Sequence, residues 1–319
     1  MTLSRSRFSI SALRRFAQFA AALAILVAAT GTFAQERFST PEDAVAALIV
    51  AARAADSAGL TRVLGPNSRE ILSSGDPVAD ASGRKRVLEA YDAKHQVVME
   101  GADKAALVIG DDDWPFPIPL VRTANGWQFD TAAGRDEILF RRIGRNELST
   151  IQTCLAYVDA QNEYAEKGIA GNGVYAQRFV SRPGKKDGLY WPAQAGEDDS
   201  PLGELAAAAA AEGYRAGEQR VPYHGYYYKI LTRQGPNAAG GALDYIVRGN
   251  MIGGFALVAY PAQYRNSGVM TFLVNHQGRV YEKDLGPDTA RIAQGVTAFN
   301  PDSTWQQVTD AELSGSGGP

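Results

Sequence analysis

The chain has 319 residues, 45% of them hydrophobic and 21% charged, and a formal net charge of −3. This composition is typical of a globular protein, and the charges form no basic stripe, which argues against nucleic acid as a partner. The single cysteine, Cys154, excludes an internal disulfide. It lies on the apolar side of a predicted helix, where we expect a core residue and not a nucleophile.

The N-terminus has the pattern of a secretory signal peptide. Arginines at positions 5, 7, 14 and 15 precede an apolar run from Phe16 to Ala29, and small residues follow at Thr32 and Ala34. The run is shorter than the ~20 residues that span a bilayer. We therefore predict that residues 1–34 are a signal peptide, and that the protein is periplasmic or secreted without a stable membrane span after cleavage. The pattern leaves both the general and the twin-arginine export routes open.

Residues 37–132 are predicted to form a domain of helices followed by an antiparallel sheet. Thr40 and Pro41 mark the first helix start, a second helix begins near Asp56, and a third covers the segment SGRKRVLEAYDAK. Strands are expected at HQVVME and KAALVIG. Prolines at 115, 117 and 119 remove donors from one side of the next segment, which predicts an edge strand. The residues ANG then predict a hairpin turn.

One long helix over residues 133–167 is predicted to join this domain to a second one. Apolar residues recur along it at steps of three and four, which indicates one buried stripe. Gly144 is a candidate for a kink. The stripe contains Ile138, Leu139, Ile143, Leu148, Ile151, Leu155 and Val158.

The second domain is predicted over residues 168–312, with 313–319 as a disordered tail. It contains an alanine-rich helix from Pro201 to Arg215, a hairpin of strands 270–274 and 279–283, and a terminal helix that starts at Asp284. Segments of period two lie on both sides of the long helix, without alternation of strands and helices. This pattern predicts an α+β fold, with two helix-plus-antiparallel-sheet domains joined by a long helix.

The segment PYHGYYYKIL, residues 222–231, supplies the candidate binding residues. As a strand it would place His224, Tyr226 and Tyr228 on one face. Tyrosine is a strong strand former, so a strand without any site explains the segment equally well. The alternative is a polar aromatic groove for a sugar, a peptide or another ligand. The residues predicted to bind a ligand there are Tyr190, Trp191, His224, Tyr226 and Tyr228.

Several stretches resemble one bacterial family. They include DDDWPFPIPLVR, FDTAAGRDEILFRRIGRNEL, KKDGLYWP and GVMTFLVNHQGRVYEKDLG. On these residues the chain is identified as a member of the family called domain of unknown function 2950, from Phe38 to Trp305. That resemblance implies no activity.

Two further resemblances concern the halves of the chain. The first half, with helices before a sheet that ends in GWQFDTAAG, resembles the cone-shaped domains of the nuclear transport factor 2-like class, which implies a pocket. The second half is similar to the soluble heads of pilin-like and pseudopilin-like proteins, which pack a helix on an antiparallel sheet. Its helix lacks the apolar N-terminal half of true pilins, so filament assembly is not expected.

No standard motif of a catalytic site is present. The chain lacks the nucleophile elbow, the zinc-protease motif, the C-x-x-C pair, the phosphate loop and the dinucleotide fingerprint. We therefore predict a non-catalytic binding or envelope-assembly module without a metal or an organic cofactor. Its predicted partner is an envelope protein, a peptide or a glycan. The alternative is a cofactor-independent hydrolase of envelope polymers that uses a pair of carboxylates.

Overall fold

The structure is a computed structural model that describes residues 34–193, 196, 199–215 and 221–309. The predicted signal peptide up to residue 33 and the predicted tail 313–319 lie outside the described residues. From Gln35 onward the chain forms one compact unit. Among the described residues, no helix combines the length and the apolarity that crossing a membrane requires.

The first half begins with helices whose N-termini are capped by side chains, as predicted at Thr40 and Asp56. Thr40 accepts a hydrogen bond from the backbone of Asp43 at 3.1 Å, and Asp56 accepts one from Ala58 at 3.1 Å. The helices are α1 Pro41–Arg53, α2 Ser57–Leu64, α3 Arg69–Leu72 and α4 Pro77–Ala93, with a 3₁₀ turn at Pro66–Ser68.

An antiparallel sheet follows, in the spatial order β1-β2-β4-β5, with β3 also paired to β2. The predicted hairpin at residues 124–125 is confirmed, and Trp127 and Phe129 face the core. The strands are β1 His95–Met99, β2 Lys104–Ile109, β3 Trp114–Pro115, β4 Leu120–Thr123 and β5 Gly126–Phe129.

The prediction of one proline-containing edge strand is wrong. The segment is divided into β3 and β4, which pair with opposite ends of the same strand, β2, through Pro115 with Val108 and Leu120 with Ala105. Phe116 still donates to the carbonyl of Leu107 at 2.7 Å, and residues 117–119 then leave the ladder because prolines 117 and 119 have no N–H to donate. Helices α1 and α2 cover this sheet and form the first core with it.

Helix α5, Thr131–Glu166, follows directly and confirms the predicted long helix. Asp130 caps it by accepting a hydrogen bond from the backbone of Ala133 at 3.2 Å. The helix continues through Gly144 without interruption. Cys154 is fully buried on it, as predicted, and burial raises the pKa of its thiol to about 12.

The second half is another antiparallel sheet, in the order β14-β13-β12-β11-β6, packed against α5. The predicted hairpin is confirmed as β12 and β13, but the terminal helix starts at Thr289 because Asp284 still pairs within the sheet. The remaining elements are α6 Gly203–Glu212, β6 Tyr226–Leu231, β7 Arg233–Gln234, β8 Leu243–Asp244, β9 Ile246–Val247, β10 Asn250–Met251, β11 Ala256–Pro261, β12 Met270–Asn275, β13 Val280–Asp284, α7 Thr289–Gly295 and β14 Gln306–Gln307.

The architecture is α+β, as predicted, with one hydrophobic core in each half. The two-domain arrangement is not confirmed, because both halves belong to the same compact unit. Hydrogen bonds between polar groups connect the halves. The amide of Asn266 donates to the carbonyl of Ser73 at 2.8 Å, and the amide of Asn146 donates to the carbonyl of Ser267 at 2.9 Å.

Candidate functional site

Two of the five predicted binding residues, Tyr226 and Tyr228, connect strand β6 to neighbouring elements through their hydroxyl groups. Tyr226 is fully buried, and its hydroxyl donates to the carbonyl of Met270 at 3.0 Å. The Tyr228 hydroxyl lies 3.4 Å from the hydroxyl of Thr150 on α5. Burial raises the pKa of both tyrosines. Both side chains therefore have structural contacts of their own.

Trp191 and Tyr190 lie in the loop before α6. Trp191 is 7% exposed and belongs to the second core, with the Lys186 ammonium 5.4 Å from its ring centre. Tyr190 is half-buried, and its backbone pairs with that of Phe179 and Ser181 at 2.8 Å each. A ligand-binding role for these four aromatic residues stays a prediction.

His224 is not part of the strand, contrary to prediction. Tyr223 and Tyr226 exchange backbone hydrogen bonds of 2.9 and 3.1 Å, and between them His224 and Gly225 have φ angles of +49° and +76°. Two consecutive positive φ values define a tight turn of the kind that glycine favours. A Cβ at Gly225 would lie 2.6 Å from the Asn146 amide nitrogen, so the turn also requires glycine for space. His224 therefore leaves the face that Tyr226 and Tyr228 share.

A cavity of about 990 Å³ lies between helices α4 and α5, and of the five predicted residues its lining includes only His224. This volume is at the upper end of the range of small-molecule pockets. Partly exposed apolar side chains form much of its wall: Ile71, Leu72, Val78, Val87, Tyr91, Trp114, Phe116 and Ile138.

Helix α4 packs against the first core only through partly buried residues, Val87, Leu88, Ala90 and Tyr91. This helix has 17 residues and none of them is buried. Small residues, Ala79, Gly83 and Ala90, lie where it borders the cavity. A Cβ at Gly83 would have one neighbour within 4 Å, the Arg86 Nη2 atom at 3.8 Å, so open space lies beside the helix.

Five arginines contribute to the lining, two from α4 and three from α5: Arg84, Arg86, Arg141, Arg142 and Arg145. Two of them have protein partners that hold their guanidinium groups. Arg141 forms an ion pair with Glu137. Arg142 donates to the carbonyls of Glu70 and Ile71 and to the amide oxygen of Asn266.

The other three arginines are almost without partners. Among the described residues, Arg84 and Arg145 form no hydrogen bond or ion pair, and Arg86 donates only to the Ser82 hydroxyl, at 2.7 Å. Burial lowers the pKa of Arg145, and the charge of Arg86 lowers it further. A guanidinium stays protonated at neutral pH even so. By accessible surface Arg86 and Arg145 are exposed and Arg84 is half-buried, so these charges border the open side of the cavity and have no carboxylate partner among the described residues.

The acidic groups of the lining are Asp80, Asp112 and Glu212. Asp80 accepts hydrogen bonds from the backbone and the hydroxyl of Ser74 at 3.0 and 2.7 Å. Glu212, at the end of α6, lies 2.7 Å from the Nε2 atom of His224. Asp112 lies in the exposed turn before β3. Two of the three carboxylates thus have partners other than the arginines.

Near His224, the residues at the end of the cavity are hydrogen-bonded to a buried carboxylate, that of Asp76. Asp76 accepts hydrogen bonds from the Tyr214 hydroxyl at 2.8 Å and from the Gly225 backbone at 2.9 Å. Burial, and then the bond to Asp76, raises the pKa of Tyr214. The His224 ring stacks on Tyr223 with centroids 4.1 Å apart, and its Nδ1 atom is buried without a partner.

Metal binding is not indicated by the described residues, among which no three His, Cys, Asp or Glu side chains form a candidate ligand group. The predicted independence from a metal or an organic cofactor stays a prediction.

The sequence contained one signal for this cavity that our sequence analysis did not use. Gly83 lies inside a helical segment with arginines at 84 and 86, and glycine in a helix interior often has a packing or functional reason. The juxtaposition of α4 and α5 depends on the tertiary fold, so sequence periodicity does not reveal it.

Comparison with known proteins gives one match. The family described as "Protein of unknown function (DUF2950)" matches residues 35–308. No curated protein and no solved structure matches the chain. The resemblances to nuclear transport factor 2-like cones and to pilin heads are therefore not shown.

Proposed function

The chain belongs to this family of unknown function, DUF2950, and we propose that it is an exported, non-catalytic binding protein. Its ligand is a small, largely apolar molecule that occupies the cavity between α4 and α5. The observation that carries this proposal is the cavity itself, about 990 Å³ beside a 17-residue helix with no buried residue.

A ligand in this cavity would be stabilised by removing the apolar surface of the wall from water. Each Å² of apolar surface removed from water is worth roughly 25 cal/mol, and side chains such as Trp114, Phe116 and Tyr91 are only partly covered by the protein. The ligand would cover these side chains and support α4 from beneath. Since it would bind the folded state alone, it would also stabilise the protein.

Export belongs to the same proposal and is supported by the arginines, the apolar run and the small residues of positions 1–34. We expect mass spectrometry of the protein from its native cells to find a chain that starts at Gln35, outside the cytoplasm. An intact N-terminus on a cytoplasmic protein would contradict export.

The cavity also bears on the predicted partners. An envelope protein, a peptide or a glycan stays a prediction, but a half-open and largely apolar cavity of this volume favours a smaller and less polar ligand. The hydrolase alternative was predicted to use two carboxylates, and the lining contains instead a histidine–carboxylate pair, Glu212 and His224. Since the Nε2 atom of His224 is held by Glu212 and its Nδ1 atom is buried, neither nitrogen is placed to activate a nucleophile.

Filling the cavity tests the proposal. Ala79 borders the cavity, whereas Ala81, on the same helix, is exposed and lies outside the lining. We expect Ala79→Trp to weaken the binding of the neutral fluorophore N-phenyl-1-naphthylamine roughly tenfold or more, because the indole takes the space of the ligand. The matched change Ala81→Trp should leave its Kd within about twofold, since exposed substitutions perturb little.

Circular dichroism and thermal unfolding of both variants serve as the folding control. Equal binding by wild type and Ala79→Trp, or no binding by folded wild type, would contradict the proposal. Native mass spectrometry of protein from its own cells adds a second reading, since a co-purified small molecule should be present in wild type and in Ala81→Trp but not in Ala79→Trp.

A further inference from the structure

Resting on the proposed binding in this cavity, we propose that the ligand carries an anionic head group, a carboxylate or a phosphate, and an apolar tail. Arg84, Arg86 and Arg145 hold the head group, and the tail lies along the wall that contains Trp114 and Phe116.

The first step of the argument is the placement of the three arginines. Arg84 and Arg86 belong to α4 and Arg145 belongs to α5, so guanidinium groups from two helices border one cavity. The Arg86 Nη2 atom lies 3.8 Å from the position that a Cβ at Gly83 would take. Arg86 and Arg145 are near enough for their charges to interact. The position between the helices therefore has an excess of positive charge.

The second step is the shortage of protein acceptors. A structural arginine in a partly enclosed site normally finds a carboxylate or carbonyl, as Arg142 does with Glu70, Ile71 and Asn266. Arg84 and Arg145 find none among the described residues. Within the same part of the chain, Arg86 donates only to the Ser82 hydroxyl, and its charge repels that of Arg145 across the two helices. Such an arrangement indicates that an external anion completes the site.

The third step is the chemistry of the guanidinium group. Its planar set of N–H donors matches carboxylate and phosphate oxygens and forms paired, charge-assisted hydrogen bonds. An ammonium head group would meet repulsion at the same place. The remaining walls of the cavity are mainly apolar, so the rest of the ligand is expected to be apolar as well. The combination describes an amphiphile with a single anionic end.

The experiment compares ligands with one tail and different head groups. Isothermal titration calorimetry below the micelle concentration gives the Kd of dodecanoate, dodecyl phosphate and dodecyltrimethylammonium. We expect both anions to bind wild type at least tenfold more tightly than the cation. The reason is that a charge-assisted hydrogen bond between a guanidinium and an anion is stronger than a hydrogen bond between neutral groups. The ratio of the two anions distinguishes a carboxylate ligand from a phosphate ligand.

Variants then assign the effect to the named residues. Arg84→Gln and Arg145→Gln should each weaken dodecanoate roughly tenfold, and the double variant, which keeps Arg86, should lose most of the preference for the anions over the cation. Arg135→Gln is the matched control, since Arg135 is also on α5 but pairs with Glu70 and lies outside the lining. It removes the same charge and should change the Kd of dodecanoate less than threefold, because exposed charges are screened.

The melting temperature of the ligand-free variants distinguishes a ligand-binding arginine from a structural one. Because Arg145 has only repulsive neighbours, Arg145→Gln should leave the melting temperature unchanged or higher. A clear decrease would mean that the residue is structural and would overturn the assignment. Equal affinity for anions and cation, or full affinity in the double variant, would also overturn it.

The neutral fluorophore separates this inference from the proposed function. If N-phenyl-1-naphthylamine binds and Ala79→Trp displaces it while head-group preference is absent, the cavity binds apolar ligands and the anionic head group is wrong. If neither the fluorophore nor any of the twelve-carbon amphiphiles binds, both proposals fail.

Discussion

At the scale of single residues, Asp76 connects the two halves of the molecule. One of its carboxylate oxygens caps helix α4 by accepting from the backbone of Val78 and Ala79 at 3.2 and 3.0 Å. The other accepts from Tyr214 and Gly225, which belong to the second half. The side chain is fully buried, so no water replaces these bonds if it is removed.

We expect Asp76→Ala to lower the free energy of unfolding by about 3 kcal/mol or more, since it removes a cap and leaves buried donors unpaired. Denaturant unfolding measures this change. Asp56→Ala is the control, because Asp56 caps α2 through one bond at 3.1 Å and its side chain is 45% exposed. The control substitution should lower the free energy of unfolding by about 1 kcal/mol. Similar costs for the two variants would show that Asp76 does no more than cap its helix.

Residue identity alone revealed part of the site. The burial of Cys154 followed from its place on the apolar stripe, and Tyr226 and Tyr228 do lie in a strand. The position of His224 could not be predicted in this way. The sequence PYHGYYYKIL is compatible with one continuous strand, whereas the backbone turns at His224 and Gly225. The glycine after a histidine was the available turn signal.

At the scale of elements, local signals predicted most helices and hairpins. Capping residues placed the starts of α1 and α2, and the apolar period placed α5 almost to the residue. Prolines 115, 117 and 119 predicted a single edge strand, whereas the segment is divided into β3 and β4. Missing donors show that a ladder is interrupted, whereas the route of the chain around the interruption depends on tertiary packing.

Helix α4 illustrates the same limit for function. Its sequence predicts a helix, and the structure confirms one. Whether the helix covers a filled core or a cavity depends on the tertiary packing around it, and the small side chains at Ala79 and Gly83 only leave space beside the helix unfilled. Consequently the sequence predicted the helix and not the cavity beside it.

At the scale of the whole molecule, two cores share one helix and meet at a polar boundary. Both cores contain residues of α5 or pack against it, and the cavity lies where the first half approaches His224 of the second. The chain has an excess of acidic over basic residues. The arginines of α4 and α5 are therefore a local concentration of positive charge, and local fields of this kind attract anionic ligands.

The measurement that tests this account most directly is a crystal structure with dodecanoate that carries bromine on its terminal carbon. Anomalous scattering locates the bromine without assumptions about the rest of the ligand. We expect the bromine within the apolar part of the cavity, near Trp114 or Phe116, and the carboxylate within hydrogen-bonding distance of Arg145 or Arg84. Bromine outside the cavity, for example on the exposed side chains of Leu243 and Val247, would contradict the account.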